Sequence, residues 1–392
     1  MRLQIVIAGG GIAGLAAALA CARAGVEVRV FERAGQFSEV GAGLQLGPNA
    51  TRRLVSLGLG EPLRELAFFP SRLSVRSAAN GTPLGQLTLG DELAARYGAP
   101  YATMHRADLQ DMLLTTVRAA GVELQSGAPI DSVVTTSEAV TLSTPCATGI
   151  ECDALVGADG LWSRVRPHVT SDPAPSPTGH LAYRGLAEQA NLPASLRQDD
   201  VRVWLGARLH VVAYPVRRGK LLNVVAIVQG HSAGDSRDWD QSGIASQLHA
   251  ALGAMCTPLR DLVHAIDGWR LWSLHDRPPM VGPQEMASGR IALAGDAAHP
   301  MRPYLAQGAA MAIEDAVELA RCLGVVKEAG SEVPLALARY ALNRWQRAAR
   351  VQAMARRNGR IFHSTGLVRW GRDVAMRLLG EQLLDQPWLY RG

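Results

Sequence analysis

Six residues close to the N-terminus restrict the fold of this chain more than any other feature of its sequence. Residues 9–14 are Gly-Gly-Gly-Ile-Ala-Gly and match the pattern G-x-G-x-x-G. They follow an apolar segment, residues 3–8, that is typical of a buried strand, and they lead into a predicted helix over residues 12–24. A second strand is predicted over residues 26–31. This order predicts a βαβ unit, in which a helix connects two parallel strands.

The glycines of this turn have separate roles in binding a dinucleotide. Gly9 permits the tight turn, Gly11 lets a pyrophosphate approach the backbone, and Gly14 allows the helix to pack closely on the strand. The first N–H groups of the helix can donate to phosphate oxygens. Glu32 ends the second strand and is suited to accept a hydrogen bond from a ribose hydroxyl. The predicted binding residues of this unit are Gly9, Gly11, Ile12, Ala13, Gly14, Glu32 and Arg33. The motif alone does not distinguish FAD from NAD.

Composition excludes several other classes of protein. Of the 392 residues, 48% are hydrophobic and 19% are charged, which excludes a disordered, collagen-like or coiled-coil chain. The net charge of +5 is too diffuse over this length to indicate nucleic-acid binding. The five cysteines include no C-x-x-C pair, which argues against a disulfide framework and a structural zinc site. We therefore expect no metal, no nucleic-acid partner, and a reducing compartment, the cytoplasm.

The apolar N-terminal segment superficially resembles a signal peptide or a membrane anchor. The four glycines within residues 3–22 would each cost a membrane helix about 1 kcal/mol relative to alanine. A strand, a turn and a helix use all four of them, and no comparable uncharged segment follows. We therefore expect no membrane partner.

The rest of the chain predicts an α/β protein with a second, β-rich part. Short β-type segments separated by turn residues occupy residues 73–89 and 178–228. Other predicted elements are a helix over residues 109–120, strands over 154–156 and 291–294, a proline-containing linker over 171–179, and helices from residue 314 onward. We predict a Rossmann-like domain interleaved with a mainly antiparallel β-sheet substrate domain and followed by C-terminal helices. The predicted boundaries are 1–72, 97–172 and 280–340 for the nucleotide domain, 73–96 and 173–279 for the sheet domain, and 341–392 for the C-terminal helices.

Basic residues are concentrated near the C-terminus. Residues 339–372 contain nine arginines and no aspartate or glutamate. An exposed or carboxylate-paired helical face is the favoured interpretation, and a docking surface for an acidic partner is the alternative.

Two later motifs distinguish FAD from NAD. Asp159 follows the predicted strand 154–156 in Gly-Ala-Asp-Gly, and Asp296 follows the strand 291–294 in Gly-Asp-Ala-Ala-His-Pro. These motifs resemble the signatures of the group A, single-component FAD-dependent aromatic hydroxylases. The sequence is most similar in pattern to the monooxygenases of salicylate, 3-hydroxybenzoate and 6-hydroxynicotinate, judged also by residues 39–45, 105–109 and 301–315.

This resemblance implies a reaction. Non-covalent FAD would be reduced by NADH or NADPH, and O₂ would form a C4a-hydroperoxide that hydroxylates a small carboxylated phenol or hydroxypyridine. Only one dinucleotide fingerprint is present, so NAD(P)H would visit as a co-substrate. The alternatives are another FAD-dependent oxidoreductase of the same fold and a non-catalytic flavin-binding redox scaffold. A homodimer is left open.

The resemblance also implies further cofactor contacts. Asp296 is suited to accept from a ribityl hydroxyl, and Arg106 to donate to the pyrophosphate. A helix beginning near Gly308 would direct its positive end at the flavin. The residues 41–43 fit a hinge for flavin movement, and the region of Asp159 would help to bind NAD(P)H. The predicted contacts are Gly43, Leu44, Arg106, Asp159, Asp296, Pro303, Gln307, Gly308 and Ala309. Asp296 could instead be an N-cap, and Arg106 a surface ion-pair partner.

The substrate side depends on the segment 204–215, which resembles a pocket-lining strand of the family. Alternation places His210 and Tyr214 on one face. A neutral histidine can take a phenolic proton, which makes the ring a better nucleophile. The predicted catalytic residues are His210, Tyr214 and Tyr304. A structural role for His210 is equally open, either Arg184 or Arg302 could bind a substrate carboxylate, and His299 is interpreted as structural.

Overall fold

The parallel strands predicted around the glycine turn are present and are neighbours in one sheet. The computed structural model describes residues 3–37, 42–230, 241–243, 245–326 and 329–392. The strands are β1 (Gln4–Ala8), β2 (Glu27–Phe31), β3 (Gly43–Leu46), β4 (Arg72–Ser77), β5 (Pro83–Thr88), β6 (Ala102–His105), β7 (Glu123–Gln125), β8 (Ser132–Thr135), β9 (Val140–Thr144), β10 (Ala147–Cys152), β11 (Ala154–Gly157), β12 (Ser176–Glu188), β13 (Val201–Leu205), β14 (Leu209–Val216), β15 (Leu221–Gln229), β16 (Gln241–Gly243), β17 (Trp269–Asp276), β18 (Ala287–Ser288) and β19 (Ile291–Leu293). The helices are α1 (Ile12–Arg23), α2 (Pro48–Ser56), α3 (Gly60–Leu66), α4 (Gly90–Tyr97), α5 (Arg106–Ala119), α6 (Ala245–Leu252), α7 (Thr257–His264), α8 (Gly308–Leu323), α9 (Ala329–Phe362), α10 (Gly366–Leu384) and α11 (Pro387–Tyr390).

The first sheet has the order β18-β19-β11-β1-β2-β7 within the described residues. Its strands pair in parallel except at the edge, where β18 is antiparallel to β19. The central strand β1 is buried on both faces, which explains why its residues are continuously apolar. Helices α1 and α8 pack together over this sheet. The carboxyl ends of β1, β2 and β11 therefore meet at one edge.

The second sheet has the order β16-β17-β12-β15-β14-β13-β4-β5 in the part of the chain that the structure describes. All neighbours are antiparallel except β13 and β4, which pair in parallel. The early strands β4 and β5 thus join a sheet that otherwise comes from the middle of the chain. The α/β class with a mainly antiparallel sheet and a helical C-terminal segment is confirmed, and the domain boundaries stay a prediction.

The predicted bounds of one linker and one helix are wrong. The linker 171–179 is only partly a linker, because β12 begins at Ser176 and pairs there with Asp276 of β17. The prolines mislead because Pro177 lies just before an irregularity in this pairing, so the ladder tolerates it. The helix predicted from residue 109 begins at Arg106, because His105 is the last extended residue.

Most of the arginine-rich segment lies on helix α9, where several arginines pair with carboxylates. Arg344 and Arg347 both bind Glu314 of α8, and Arg356 binds Asp276 of β17. These pairs agree with the favoured interpretation of a carboxylate-paired face. No helix among the described residues has the length and apolarity needed to span a bilayer.

Candidate active site

The glycine turn between β1 and α1 adopts a geometry that side chains would block. Gly9 has φ of +109°, and a Cβ there would lie 2.4 Å from the carbonyl oxygen of Ala158. A Cβ on Gly14 would lie 1.9 Å from the carbonyl oxygen of Gly9. Neither contact can be relieved by a rotamer change, because both involve backbone atoms. The turn therefore leaves its backbone open toward the edge of the sheet.

A large cleft opens at this edge, with about 1700 Å³ of empty space including the solvent at its mouth. Its walls are the glycine turn, the end of β2, the loop after β11 and the N-terminus of α8. The predicted cofactor contacts that line it are Gly9, Gly11, Ile12, Ala13, Glu32, Arg33, Arg106, Asp159, Asp296, Gly308 and Ala309. Those that do not line it are Gly14, Gly43, Leu44, Pro303 and Gln307. The predicted residues thus converge from distant parts of the chain on one cleft.

Glu32 shapes the cleft at the end of β2. Its Oε2 accepts a hydrogen bond from the backbone N–H of Gly10 at 2.6 Å, and its Oε1 accepts from Ala34 at 2.8 Å. The side chain is only half-buried and still lines the cleft. A carboxylate can accept several hydrogen bonds at once, so these contacts leave room for a ribose hydroxyl.

Asp296 and the N-terminus of α8 form the opposite end of the cleft. A Cβ placed on Gly308 would lie 4.0 Å from Oδ1 of Asp296, so the carboxylate and the first turn of the helix are neighbours. Gly308 and Ala309 present small residues to the cleft, and the first turn of α8 contains no acidic residue. Helix N-termini favour negative charge. This end therefore combines a hydroxyl acceptor with a positive helix terminus.

Asp159 organises the loop after β11. Its Oδ2 accepts from the backbone N–H groups of Arg164 at 2.7 Å and Val165 at 3.3 Å. Burial raises the pKa of Asp159, and its Oδ1 has no hydrogen-bond partner among the described residues. The carboxylate thus holds the loop and keeps one oxygen free at the cleft wall.

A buried hydrogen-bonded pair, His299 and Asp315, lies next to the loop of Asp296. His299 Nε2 lies 2.5 Å from Oδ2 of Asp315, which also accepts from the backbone N–H of Gly295 at 3.0 Å. Burial would raise the pKa of Asp315, but His299 and Arg344 outweigh burial and lower it. His299 lies outside the cleft lining, in agreement with the structural role expected for it. Gln307 is also buried, and its Oε1 accepts from Asn49 at 2.9 Å.

A second group of residues, which we call the histidine cluster, comprises His180, His210, Tyr304, Phe362 and His363. The Nδ1 atom of His210 lies 2.8 Å from Nε2 of His363. The ring centroid of Tyr304 lies 5.2 Å from that of His210 and 6.0 Å from that of His180. The sequence predicted His210 and Tyr304 as catalytic residues, and the structure brings these two together.

Tyr214, the third predicted catalytic residue, lies elsewhere. It packs in a different apolar cluster from Tyr304. A Cβ on Gly43 would lie 2.6 Å from the Tyr214 ring, and the N–H of Gly43 donates to Oδ1 of Asn223 at 2.7 Å. Tyr214 therefore lies beside β3, at the hinge predicted over 41–43. Gly41 itself lies outside the described residues.

The pKa values of the cluster define its protonation states. Burial lowers the pKa of His210 to about 3 and that of His363 to about 2. Burial raises the pKa of Tyr304 well above its usual range. At neutral pH the two imidazoles are uncharged and the phenol keeps its proton. An uncharged imidazole is the form that can accept a proton.

Several polar atoms around the cluster are buried and lack a hydrogen-bond partner among the described residues. They are both ring nitrogens of His180, Nδ1 of His363, Oη of Tyr304 and Nε1 of Trp272. Buried polar groups are almost always satisfied, so such a group of orphans indicates a polar ligand. Trp272 also lines the cleft, so the cluster adjoins it. His180, Trp272 and His363 were not predicted, since no short motif marks them.

The two arginines considered for a substrate carboxylate differ in their surroundings. The guanidinium of Arg184 lies 4.3 Å from the ring centroid of Trp272 and lines the cleft. Arg302 donates to Oδ2 of Asp276 at 2.7 Å, a carboxylate that Arg356 also binds. Arg302 therefore shares the carboxylate of Asp276 with Arg356.

The fold and the cleft define a flavoprotein of the kind that holds an extended dinucleotide across the edge of a parallel sheet. The sequence model of the FAD binding domain matches residues 2–355. The chain belongs to this family, and it is an NAD(P)H-dependent flavoprotein monooxygenase that uses FAD. This confirms the predicted family, cofactor and enzyme class.

Individual relatives agree. A 3-hydroxybenzoate 6-hydroxylase of Polaromonas naphthalenivorans is 36% identical, over 99% of this chain and 96% of its own length. A 6-hydroxynicotinate 3-monooxygenase of Bordetella bronchiseptica is 33% identical, over 91% of each chain. A salicylate hydroxylase solved in complex with its substrate superimposes with a TM-score of 0.83 at 28% identity, covering 100% of this chain and 96% of its own.

Proposed function

We propose that this chain hydroxylates a small carboxylated aromatic that already bears a ring hydroxyl, such as a hydroxybenzoate or a hydroxynicotinate. The observation that carries the proposal is the group of orphaned polar atoms of the histidine cluster, which adjoins the FAD cleft through Trp272. Relatives named for 3-hydroxybenzoate and 6-hydroxynicotinate support this substrate class.

The residues around the cleft fit FAD. Gly9 and Gly11 would face the pyrophosphate, Glu32 the adenosine ribose, Asp296 the ribityl chain and the first turn of α8 the flavin ring. When bound, FAD supplies the activation of O₂ that no side chain of this protein can perform. The region of Asp159 would receive NAD(P)H.

His210 would act on the ring hydroxyl of the substrate. Its neutral imidazole takes the phenolic proton, which leaves a phenolate whose ring is more nucleophilic. Tyr304 keeps its proton and would donate to the same oxygen or to a neighbouring polar group. Phe362, Trp272 and the aliphatic residues that pack near them exclude water from the reacting ring.

Of the two candidate arginines, Arg184 is better placed to bind the carboxylate of the substrate. It lies at the cleft wall beside Trp272, whereas Arg302 does not line the cleft. A guanidinium has N–H donors in a fork that matches a carboxylate, and an aromatic face beside it can hold it in place. An aromatic acid could therefore place its carboxylate at Arg184 and its hydroxyl toward His210.

We also propose where the protein is located and how it assembles. The cytoplasm is supported by the five cysteines, all of which are free. A homodimer is supported by exposed apolar side chains on α10, where Leu367 is 87% and Trp370 68% exposed. Light scattering of the purified holoenzyme tests the dimer, and a monomeric mass at micromolar concentration would contradict it.

The substrate class is tested with the purified holoenzyme. NADH and NADPH oxidation is followed with 3-hydroxybenzoate, salicylate and 6-hydroxynicotinate, and ¹⁸O₂ is used to identify any hydroxylated product. We expect at least one of these acids to accelerate NAD(P)H oxidation and to gain one labelled oxygen. Benzoate, which lacks the hydroxyl, is the matched control. Equal stimulation by benzoate, or none by any acid, would contradict the proposal.

His210→Ala tests the role of the imidazole in the same assay. We expect hydroxylation to fall by about 10²-fold or more, the usual scale of a general base. NAD(P)H oxidation falls less, because oxygen is then released as hydrogen peroxide. Unchanged coupling of NAD(P)H oxidation to product formation would exclude His210.

A further inference from the structure

His363 lies in a part of the chain that the family model does not cover, since that model ends at residue 355. It follows the last residue of α9 and reaches the central strand β14 of the antiparallel sheet. Both His210 and His363 are buried, and their ring nitrogens are 2.8 Å apart. Among the described residues, His363 is the one hydrogen-bond partner of the His210 side chain.

The backbone fixes this contact from both sides. The carbonyl oxygen of His363 accepts from the N–H of Arg208 at 3.1 Å, and Arg208 lies in the turn just before β14. Arg208 has φ of 63°, a left-handed conformation that bends the chain there. Arg372 of α10 donates to the carbonyl oxygen of Phe362 at 2.6 Å. The end of α9 is therefore hydrogen-bonded to the turn that leads into β14 and His210.

A neutral imidazole has one N–H and one lone pair, and its partner decides which nitrogen carries the proton. If Nδ1 of His210 donates to Nε2 of His363, then Nε2 of His210 has the lone pair. If the bond runs the other way, Nε2 of His210 carries the proton and cannot act as a base. The reaction proposed above requires the first arrangement.

We propose that His363 is a positioning residue for His210: it accepts a hydrogen bond from Nδ1 of His210 and thereby leaves Nε2 free to take the proton of the substrate hydroxyl. This inference rests on the proposed function. In the step, the phenolic O–H bond breaks and an N–H bond forms at Nε2, with no oxidation or reduction. The lone pair of His363 then stabilises the imidazolium through the same hydrogen bond.

Several charged and titratable groups face this pair and contribute to its pH dependence. They are His180 on β12, Arg302 and Tyr304 before α8, and Arg372 on α10. Asp276 on β17 binds Arg302, and Arg356 on α9 binds Asp276. The ring centroid of His180 lies 4.8 Å from that of His363. Burial, and after it the nearby His210, His180, Arg372 and Arg302, lower the pKa of His363 and so keep it a neutral hydrogen-bond acceptor.

The contact is tested with three variants of the holoenzyme. His363→Leu removes the acceptor, whereas His363→Gln places an amide oxygen near the position of Nε2. Ser364→Ala is the matched control, because Ser364 adjoins His363, is also buried, and donates its hydrogen bond to the carbonyl oxygen of Ile361 and not to His210. The probe is 3-hydroxy-4-nitrobenzoate, whose phenolate is followed by difference absorption without NAD(P)H.

We expect the bound probe in His363→Leu to ionise about one pH unit or more above its value in the wild type. His363→Gln brings the ionisation most of the way back to the wild-type pH, and Ser364→Ala leaves it at the wild-type pH. With the natural substrate, His363→Leu lowers kcat for hydroxylation about tenfold or more with little change in KM, a fraction of what a general base contributes. An equal effect of Ser364→Ala and His363→Leu, or no effect at residue 363, would overturn the proposal.

A second readout does not depend on turnover. Imidazole ¹⁵N NMR of the holoenzyme should show His210 protonated at Nδ1 in the wild type and in His363→Gln, and a mixture of tautomers in His363→Leu. Wild-type His210 protonated at Nε2 would overturn the proposal. If the wild type hydroxylates no aromatic acid, the substrate class fails, and the NMR result still decides the contact.

Discussion

The cofactor cleft and the histidine cluster are neighbouring parts of one site, but they are built in different ways. The cleft depends mainly on the backbone, because Gly9 and Gly14 form a turn that side chains would block and the first turn of α8 faces the cleft with small residues. The cluster depends on side chains from four separate segments, with His210 and His363 at its centre. The cleft depends on the positions of glycine residues in the sequence, whereas the cluster depends on contacts between side chains that are distant in the sequence. The two regions should therefore fail differently when they are changed.

The largest effect is expected from adding a side chain to the backbone site. Gly14→Val places carbon atoms where the Gly9 carbonyl oxygen now lies, 1.9 Å from an ideal Cβ. We expect a protein without flavin, measured by the ratio of absorbance at 450 nm to that at 280 nm after purification. Gly268→Ala is the control, because nothing lies within 4 Å of its Cβ position. A Gly14→Val protein purified with full FAD occupancy would contradict this prediction.

Removing a side-chain acceptor from the cleft should have a smaller effect. Asp296→Ala removes the carboxylate beside Gly308. We expect FAD to bind about 10- to 100-fold more weakly, which corresponds to the loss of one charged hydrogen bond of about 1.5–3 kcal/mol. Equilibrium dialysis of FAD measures it, with Asp261→Ala on the exposed face of α7 as the control. Wild-type affinity would remove Asp296 from the site.

The histidine cluster should reveal itself through the pH dependence of stability. Because burial holds the pKa of His210 and His363 below the unfolded value, the unfolded state binds more protons in acid. The contribution of the two histidines to the free energy of unfolding is therefore fully present above about pH 6.5. Below that pH the free energy of unfolding falls by up to about 1.4 kcal/mol per pH unit for each histidine. Urea unfolding at pH 7 and pH 5 should show a smaller drop for His363→Gln than for the wild type. The exposed His168→Gln control should keep the wild-type drop, and equal drops in all three would refute the assignment.

The smallest effect is expected at Glu32. Its carboxylate accepts from Gly10 and Ala34, and glutamine keeps one acceptor oxygen. We expect Glu32→Gln to weaken FAD binding by about 1 kcal/mol, measured by calorimetric titration. Glu27→Gln at the other end of β2 is the control. A loss as large as that of Asp296→Ala would show that the backbone contribution at this end is overestimated.

The sequence predicted the cleft far better than the cluster. The glycine turn, Glu32 and Asp296 belong to short motifs that follow buried strands, and parallel strands bring such motifs to one edge. The contact between His210 and His363 joins residues 153 positions apart, which no local periodicity encodes. Tyr214 shows the limit of periodicity: alternation places it on the same face of β14 as His210, yet that face extends from the cluster to Gly43.

Gly359 on α9 packs against the ring of Tyr304 in the histidine cluster. A Cβ at this position would lie 2.9 Å from the Tyr304 ring, so Tyr304 and the end of α9 fit together only with glycine there. Gly359 and His363 come far later in the sequence than the glycine turn of residues 9–14, so they leave the ribosome after it. During biosynthesis the chain therefore gains its dinucleotide-binding edge long before the pocket for the aromatic ring is closed. Translation that stops short of residue 359 would yield a polypeptide without that pocket.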